Sequence, residues 1–387
     1  AKRILDLAEK YNMSVDPYAK VSDLSVGEMQ RVEIIKTLYR GARILILDEP
    51  TAVLTPQEAG ELFKMIRSLT SHGFTVLFIS HKLNEVKEIS DRVTVLRLGR
   101  VMGTHETRDC TVADLAKLMV GREVSFTVDR RCSTADKTVL SLRNVTLLRK
   151  NSTAKLLDNI SFDLHAGEIL GVAGVDGNGQ AELVECLTGL AKATSGEAVY
   201  HDKDLLKCCT RDIMSHGISH IPQDRQATGL VMPMPLSENF ILQDYYKHQF
   251  GKHGFVDWKT VEAYSDRLIK AFSVKTPGIT QLAQNLSGGN QQKVIVAREI
   301  SREPELIIAM HPTRGLDVGA IEYIHNKLME QRDSGAAVLL VSTELEEIMK
   351  MSDRILVMYE GRIMGVVTPR ETSGEQLGLM MGGREAS

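Results

Sequence analysis

The sequence predicts an α/β protein made of two related halves, each a mainly parallel sheet covered by helices and carrying a small helical subdomain. Three observations lead there. Apolar runs alternate with segments of helical spacing, a set of motifs recurs at one fixed offset, and a glycine-rich turn follows an apolar strand.

Taken in order, Ala1–Glu9 has helical spacing, as does Met29–Tyr39. Ala42–Leu47 is an apolar run ending in acids, Glu58–Leu69 is helical, and Thr75–Ile79 is apolar again. Thr111–Val120 reads as a helix, followed by a polar linker over 121–136 that contains Arg130-Arg131 and Ser133-Thr134. Val139–Val145, Ile160–Leu164 and Glu168–Val172 read as strands. Between Ser237 and Phe272 the pattern turns helical, interrupted at Gly251–Gly254, which reads as a helical insertion in the α/β core. Gln291–Ile300 is helical, and Leu306–Ala309 and Ala336–Val341 are strand-sized.

The repeat fixes the domain boundaries. Leu24-Ser-Val-Gly-Glu matches Leu286-Ser-Gly-Gly-Asn, Glu49-Pro-Thr matches His311-Pro-Thr, Ser80 matches Ser342, and Asp91-Arg92 matches Asp353-Arg354. Gly99-Arg100 matches Gly361-Arg362, and every pair stands 262 residues apart. The first half therefore occupies 1–120 and the second 137–387. The second copy starts near Lys137 and holds the glycine-rich segment Gly174–Gly179; by the same offset the first copy's equivalent falls before residue 1. The expectation is that about 125 residues of the first half, its phosphate loop among them, are not in this sequence.

Composition narrows the function classes. The formal charge is −3 with no basic stripe, so a nucleic-acid footprint is not expected. No apolar run approaches the ~18 residues that span a bilayer, so any membrane role must come through a partner. The five cysteines have no CxxC spacing, which argues against zinc or a disulfide framework and fits a reducing cytosol. Cys208-Cys209 reads as an inert adjacent pair.

Ile44-Leu-Ile-Leu-Asp48-Glu49-Pro50 delivers two carboxylates to the C-terminal end of a buried strand, where ligands of parallel sheets bind. Asp48 in that position can hold Mg²⁺ through water, and Glu49 can orient and deprotonate an attacking water. His81 follows the next strand and is placed to stabilise charge on a γ-phosphate. Ser25, Gly27 and Glu28, and in the second half Ser287, Gly288, Gly289 and Asn290, stand at the starts of helical patterns. There they serve as helix caps or, with the rest of the set, as phosphate contacts.

Ser-x-Gly-x ahead of Leu-Asp-Glu-Pro-Thr ahead of Ser-His resembles the ABC transporter ATPases, over nearly the whole chain. The resemblance implies two P-loop NTPase domains, the first incomplete, binding ATP and Mg²⁺. In that family each ATP is held between one half's phosphate loop and the other half's signature turn, so the halves pair. It implies that Asp48, Glu49 and His81 work with Ser287, Gly288 and Gly289.

The second half departs from the family pattern. Gly174-Val-Asp-Gly177-Asn178-Gly179-Gln180-Ala181 keeps the glycine spacing, but Gln180 replaces the lysine and Ala181 the hydroxyl residue. Met310 and His311 stand where Asp48 and Glu49 stand, and Thr343 takes the place of His81. Gln223 and Asp317 fit the family, and no aromatic stands near Leu147-Leu148 to stack adenine. Backbone N–H groups around Gly177–Gly179 keep the means to hold a phosphate, and His311 as a substitute base is the lesser reading. This half binds or props and does not cut.

The asymmetry resembles the fused double ATPases of sugar and nucleoside importers, with Leu316–His325 similar to the nucleoside branch. That implies a peripheral protein on the cytoplasmic face of the membrane, partnered by integral-membrane permeases and, indirectly, a solute-binding lipoprotein. The alternatives are a soluble ABC ATPase acting outside transport and a binding-only module. The remaining features have plain readings: Met349, Met351, Met358 and Met364 as filler, and His216 and His220 as solvated. Tyr245, Tyr246 and Trp258 face the membrane subunits or pack in a core.

Overall fold

In the computed structural model, residues 1–11, 13–51, 54, 56–97, 99–121, 137–252 and 255–384 are described. The linker expected over 121–136 lies, apart from Gly121, outside them. The chain divides into two units, Ala1–Val124 with Asp317–Gly319, and Ser125–Leu316 with Ala320–Ser387.

The first unit runs α1 (Lys2–Lys10), α2 (Val26–Tyr39), β1 (Ile44–Asp48), α3 (Pro56–Ser71), β2 (Thr75–Ile79), α4 (Leu83–Ile89), β3 (Arg92–Arg97), β4 (Arg100–Glu106) and α5 (Val112–Val120). β1 and β2 pair in parallel, Ile44 opposite Thr75 through Asp48 opposite Ile79, while β3 and β4 form an antiparallel hairpin. Capping boxes start α2 (Ser25 with Glu28) and α5 (Thr111 with Asp114), and Gly121 ends α5 in the left-handed region at φ 86°. Because side chains alternate across a strand, β1 and β2 turn Leu45, Leu47, Val76 and Phe78 toward the apolar faces of α1, α2 and α3. Their other face carries Ile44, Ile46, Leu77 and Ile79, which are 65%, 66%, 54% and 43% exposed.

The second unit begins with β5 (Thr138–Leu148), β6 (Lys155–His165), β7 (Ile169–Ala173), α6 (Gln180–Leu187), β8 (Ser195–Tyr200), β9 (Lys203–Asp204), α7 (Thr210–Ser215) and β10 (Ile218–Ile221). It continues with α8 (Leu236–Ile241), β11 (Gly251–Lys252), β12 (Phe255–Val256), α9 (Trp258–Ala271), α10 (Gly288–Ile300), β13 (Leu306–Met310), α11 (Val318–Asp333), β14 (Ala337–Ser342), α12 (Leu345–Met351), β15 (Arg354–Tyr359), β16 (Arg362–Val367) and α13 (Gly374–Met381). A six-stranded sheet has the order β10-β13-β14-β7-β15-β16, parallel except at the β16 edge. β7, β13 and β14 are buried on both faces, which explains their unbroken apolar runs. On one face Ile307, Ala309, Val338 and Leu340 pack in a core shared with α10 and α11. On the other, Leu306, Ile308, Leu339 and Val341 share a core with residues of β5, β6, β8 and α6.

The strands read at Val139–Val145 and Ile160–Leu164 are present, and they belong to a separate antiparallel sheet, β6-β5-β8-β9, because alternation reports a half-buried strand but not its direction. The insertion is broken from Gly251 on, as its glycines indicate, and the break is the β11–β12 pair between α8 and α9; Tyr245, Tyr246 and Trp258 are about half exposed instead of packed in a core. His220 is not solvated. Its Nε2 is shielded and without a partner, and burial, opposed by Glu299 and reinforced by Arg298, lowers its pKa to about 4. The four methionines pack in or against the two cores.

His220 makes the second unit acid-sensitive in a defined direction. Its folded pKa lies below the unfolded value of about 6.5, so the native ring stays neutral where the unfolded chain takes up a proton. The stability it contributes is whole above pH 6.5 and is lost as pH falls toward 4, on the order of 3 kcal/mol. His220→Gln should flatten that part of the pH dependence in urea unfolding of the second unit. An unchanged slope between pH 6.5 and 4.5 would contradict it.

Candidate nucleotide sites

In the first unit the parallel pairing of β1 and β2 sets their C-terminal ends side by side. Asp48 is the last residue of β1 and is exposed. Glu49 follows at φ 47°, a conformation rare for a side-chain-bearing residue, and its N–H donates to Ile79 O at 2.9 Å. The turn swings the Glu49 carboxylate to His81 Nδ1, 2.8 Å away and half-buried. Beneath them Thr51 Oγ1 and Ser80 Oγ both donate to Glu85 Oε2, at 2.5 and 3.2 Å. Gln30 of α2 donates to Pro50 O at 2.7 Å, tying α2 to the same turn. Oxygen donors that are accessible at a strand end suit a hard cation that keeps its waters, so Asp48 fits Mg²⁺. Among the described residues no group of three or more candidate ligands gathers.

The second unit keeps the backbone and changes the chemistry. His311 sits at φ 46° and its N–H donates to Val341 O at 2.8 Å, the counterpart of Glu49 in both respects. Thr313 Oγ1 donates to Glu347 Oε1 at 2.7 Å, as Thr51 does to Glu85, with His325 Nε2 added at 2.8 Å. Burial raises the Glu347 pKa, but the contacts from His325, Ser342 and Thr313 outweigh it and hold the carboxyl below its usual range. His311 is buried, which lowers its pKa against the pull of Asp176, whose carboxylate lies 3.7 Å from Nε2. A thioether at Met310 and a buried imidazole do not suit Mg²⁺.

The glycine loop Gly174–Gly179 joins β7, in the middle of the parallel sheet, to α6, the position where such sheets bind ligands. Gly177 and Gly179 have φ 88° and 101°. Ala181 is half-buried against the core, and Gln223 follows β10. Asp317 directly precedes α11.

The two signature turns differ. Ser25 accepts from Glu28 N at 3.3 Å, and Ser25 N donates to Glu28 Oε2 at 2.8 Å. These bonds hold the Glu28 carboxyl below its usual range. Ser287 makes no side-chain cap bond; its Oγ accepts from Asn290 Nδ2 at 2.9 Å, and Asn290 Oδ1 accepts from Lys275 N at 2.8 Å. The helix-cap reading thus describes Ser25 and Glu28. At Ser287 the first N–H groups of α10, at Gly288 and Gly289, receive no side-chain cap. Sequence reasoning passed over Glu85 and Glu347, which the same offset of 262 marks, and Arg225. Arg225 donates to Arg314 O at 2.8 Å and lies against Gly288.

A parallel sheet with a glycine turn after its central strand and an acid-tipped strand beside a histidine defines a nucleotide-hydrolysing α/β class. The family model "ABC transporter" matches residues 1–52 and 157–314, and the chain belongs to that family, whose members hydrolyse ATP to drive transport. It is 48% identical over 382 residues to the nucleoside import ATP-binding protein NupA of Lactococcus lactis subsp. cremoris, covering 99% of this chain and 75% of that one. It is 49% identical to the guanosine import ATP-binding protein NupO of Bacillus subtilis, with the same coverage, and 45% identical to the glucose import ATP-binding protein TsgD13 of Haloferax volcanii, covering 100% of this chain and 70% of that one. Among solved structures, an ATP-binding cassette dimer in a post-hydrolysis state with ADP and Pi shares the fold, at TM-score 0.52 and 22% identity over 60% of this chain and 99% of that one. No helix among the described residues is long and apolar enough to cross a membrane.

Proposed function

We propose that this protein is the ATP-binding subunit of an importer for a nucleoside or sugar, hydrolysing Mg-ATP at a single composite site. In that site Asp48 would hold Mg²⁺, Glu49 would orient and deprotonate water, and His81, fixed through Nδ1, would stabilise the γ-phosphate. Ser287, Gly288, Gly289 and Asn290 would supply the opposing phosphate contacts from α10. The observation that carries this reading is the Glu49–His81 pair on a positive-φ turn that His311 repeats without the acid. The capped Ser25 turn and the uncapped Ser287 turn support the same asymmetry, because Glu28 sets a negative charge at the end of α2 where a phosphate would approach.

The first unit is read as the C-terminal part of one ATP-binding domain and the second as a whole domain with a degenerate site. Support comes from the matched turns and from the uncovered face of β1 and β2, whose counterparts in β13 and β14 lie under the antiparallel sheet. The relatives' names, as ATP-binding proteins of import, support permease partners; with them go a place on the cytoplasmic face of the membrane and, indirectly, a solute-binding lipoprotein. Proteoliposomes holding the chain with its permeases should show ATP-driven uptake of one member of a nucleoside and sugar panel; uptake of none would reject the importer reading.

The 387 residues alone should release phosphate from Mg-ATP no faster than a Glu49→Gln control, because no phosphate loop stands among the described residues of the first unit. Turnover well above that control in a phosphate-release assay would show that the site is complete without a further segment.

A further inference from the structure

A loop that grips a phosphate must leave its inward N–H groups unpaired until the ligand arrives. In the loop between β7 and α6 one such group, the Asn178 N–H, is already taken, donating to Val175 O at 3.3 Å and to the Gln180 side chain. The Gln180 side chain, in a residue 4% exposed, folds back beneath the glycines: Oε1 accepts from Asn178 N at 3.1 Å, and Nε2 donates to Val175 O at 3.1 Å. Val175 O also receives Asn178 Nδ2 at 3.1 Å. A Cβ on Gly174 would collide with Gln180 Nε2, so the carboxamide fills the space that this glycine leaves. Outside the loop, Asn178 Oδ1 accepts from Glu360 N at 2.8 Å and Asn178 O from Gly361 N at 3.0 Å. The charges across the turn are inverted as well. Asp176 of the loop lies 3.9 Å from Arg314 Nη1, the cation that would otherwise draw an anion, and 3.7 Å from His311 Nε2.

We propose that the Gln180 carboxamide is a built-in occupant of the phosphate loop, which keeps the second unit folded and closed to nucleotide phosphate. A lysine in that place offers only donors, so it cannot accept from a backbone N–H; an amide accepts from Asn178 N–H, sharing it with Val175 O, and donates to Val175 O. The loop is therefore excluded by occupancy, and not only weakened by the missing lysine. The inference rests on the one-site reading and deepens it: the second unit acts as a partner whose shape does not depend on nucleotide.

Occupancy and missing charge are separable, because Gln180→Ala removes the occupant without adding a lysine. With 8-azido-ATP and Mg²⁺ as the photolabel on the full chain, labelled peptides from 137–384 should rise in Gln180→Ala with an affinity about tenfold above wild type. If only the lysine matters, Gln180→Lys gains labelling and Gln180→Ala does not, which overturns the proposal. Should Gln180→Ala melt lower than wild type, millimolar pyrophosphate should restore its melting temperature while leaving wild type unmoved; a lowered melting point that pyrophosphate does not restore also overturns it. Failure of the one-site reading registers elsewhere, in how hydrolysis by the assembled transporter responds to changes at Glu49 and His311.

Discussion

In the assembled transporter, Glu49→Gln should cut ATP hydrolysis by about 10²–10⁴, the usual loss when a positioned base is removed, while His311→Ala should leave it within about twofold. The two residues share one backbone geometry, φ 47° and 46°, with the N–H bonded across to Ile79 O and Val341 O. What differs is the chemistry at the turn. Glu49 is half-exposed and hydrogen-bonded to His81, so an acceptor is fixed and open to water. His311 is buried, its pKa lowered by that burial, and it faces the Asp176 carboxylate instead of a ligand. Glutamine at position 49 keeps the size and a hydrogen bond to His81 but gives up the basic oxygen, so a folded, nucleotide-binding but idle protein is expected. Steady-state phosphate release from both variants decides the matter. Equal loss in the two would mean that both turns take part in chemistry, and the single-site reading would fall.

Much of this was legible in the sequence because the informative residues lie on backbone positions that cannot move independently. An apolar strand ending in Asp48-Glu49, a second strand ending at Ser80-His81, and the same spacing 262 residues later define a parallel pair and its tips. The structure pairs those strands in parallel, and it adds a contact the spacing did not specify, Glu49 with His81. Direction was not legible: Val139–Val145 alternates in the same way whether its neighbour runs parallel or antiparallel, and only the fold chooses. Nor was the use of each polar side chain. Ser25 and Ser287 occupy matched positions, yet the residue three places on, Glu28 or Asn290, decides whether the serine caps its own helix. Gln180 reads in sequence as an absent lysine, and only its hydrogen bonds show an amide turned into the loop. His220 looks like any polar residue on a strand until the packing closes over Nε2.

The uncovered sheet face of the first unit leads to a second large effect, readable without nucleotide. Ile44, Ile46, Leu77 and Ile79 correspond, by the offset of 262, to Leu306, Ile308, Leu339 and Val341, each of which is buried. Burying one such side chain fully contributes about 1.5–3 kcal/mol. With the four about half exposed, β1 and β2 forgo about 4 kcal/mol that β13 and β14 retain, before any loss from having fewer paired strands. Native-state hydrogen exchange reads this directly, because local opening follows local stability. Amides of β1 and β2 should exchange about 10³ times faster than those of β13 and β14 under the same conditions. Equal protection of the two pairs would show that the exposed isoleucines and leucine are covered in solution, and would remove the main support for reading the first unit as part of a larger domain. If exchange is fast in the isolated chain and slows to the level of β13 and β14 in the assembled transporter, the cover is supplied on assembly, and the face belongs to an interior that this chain completes with other polypeptide.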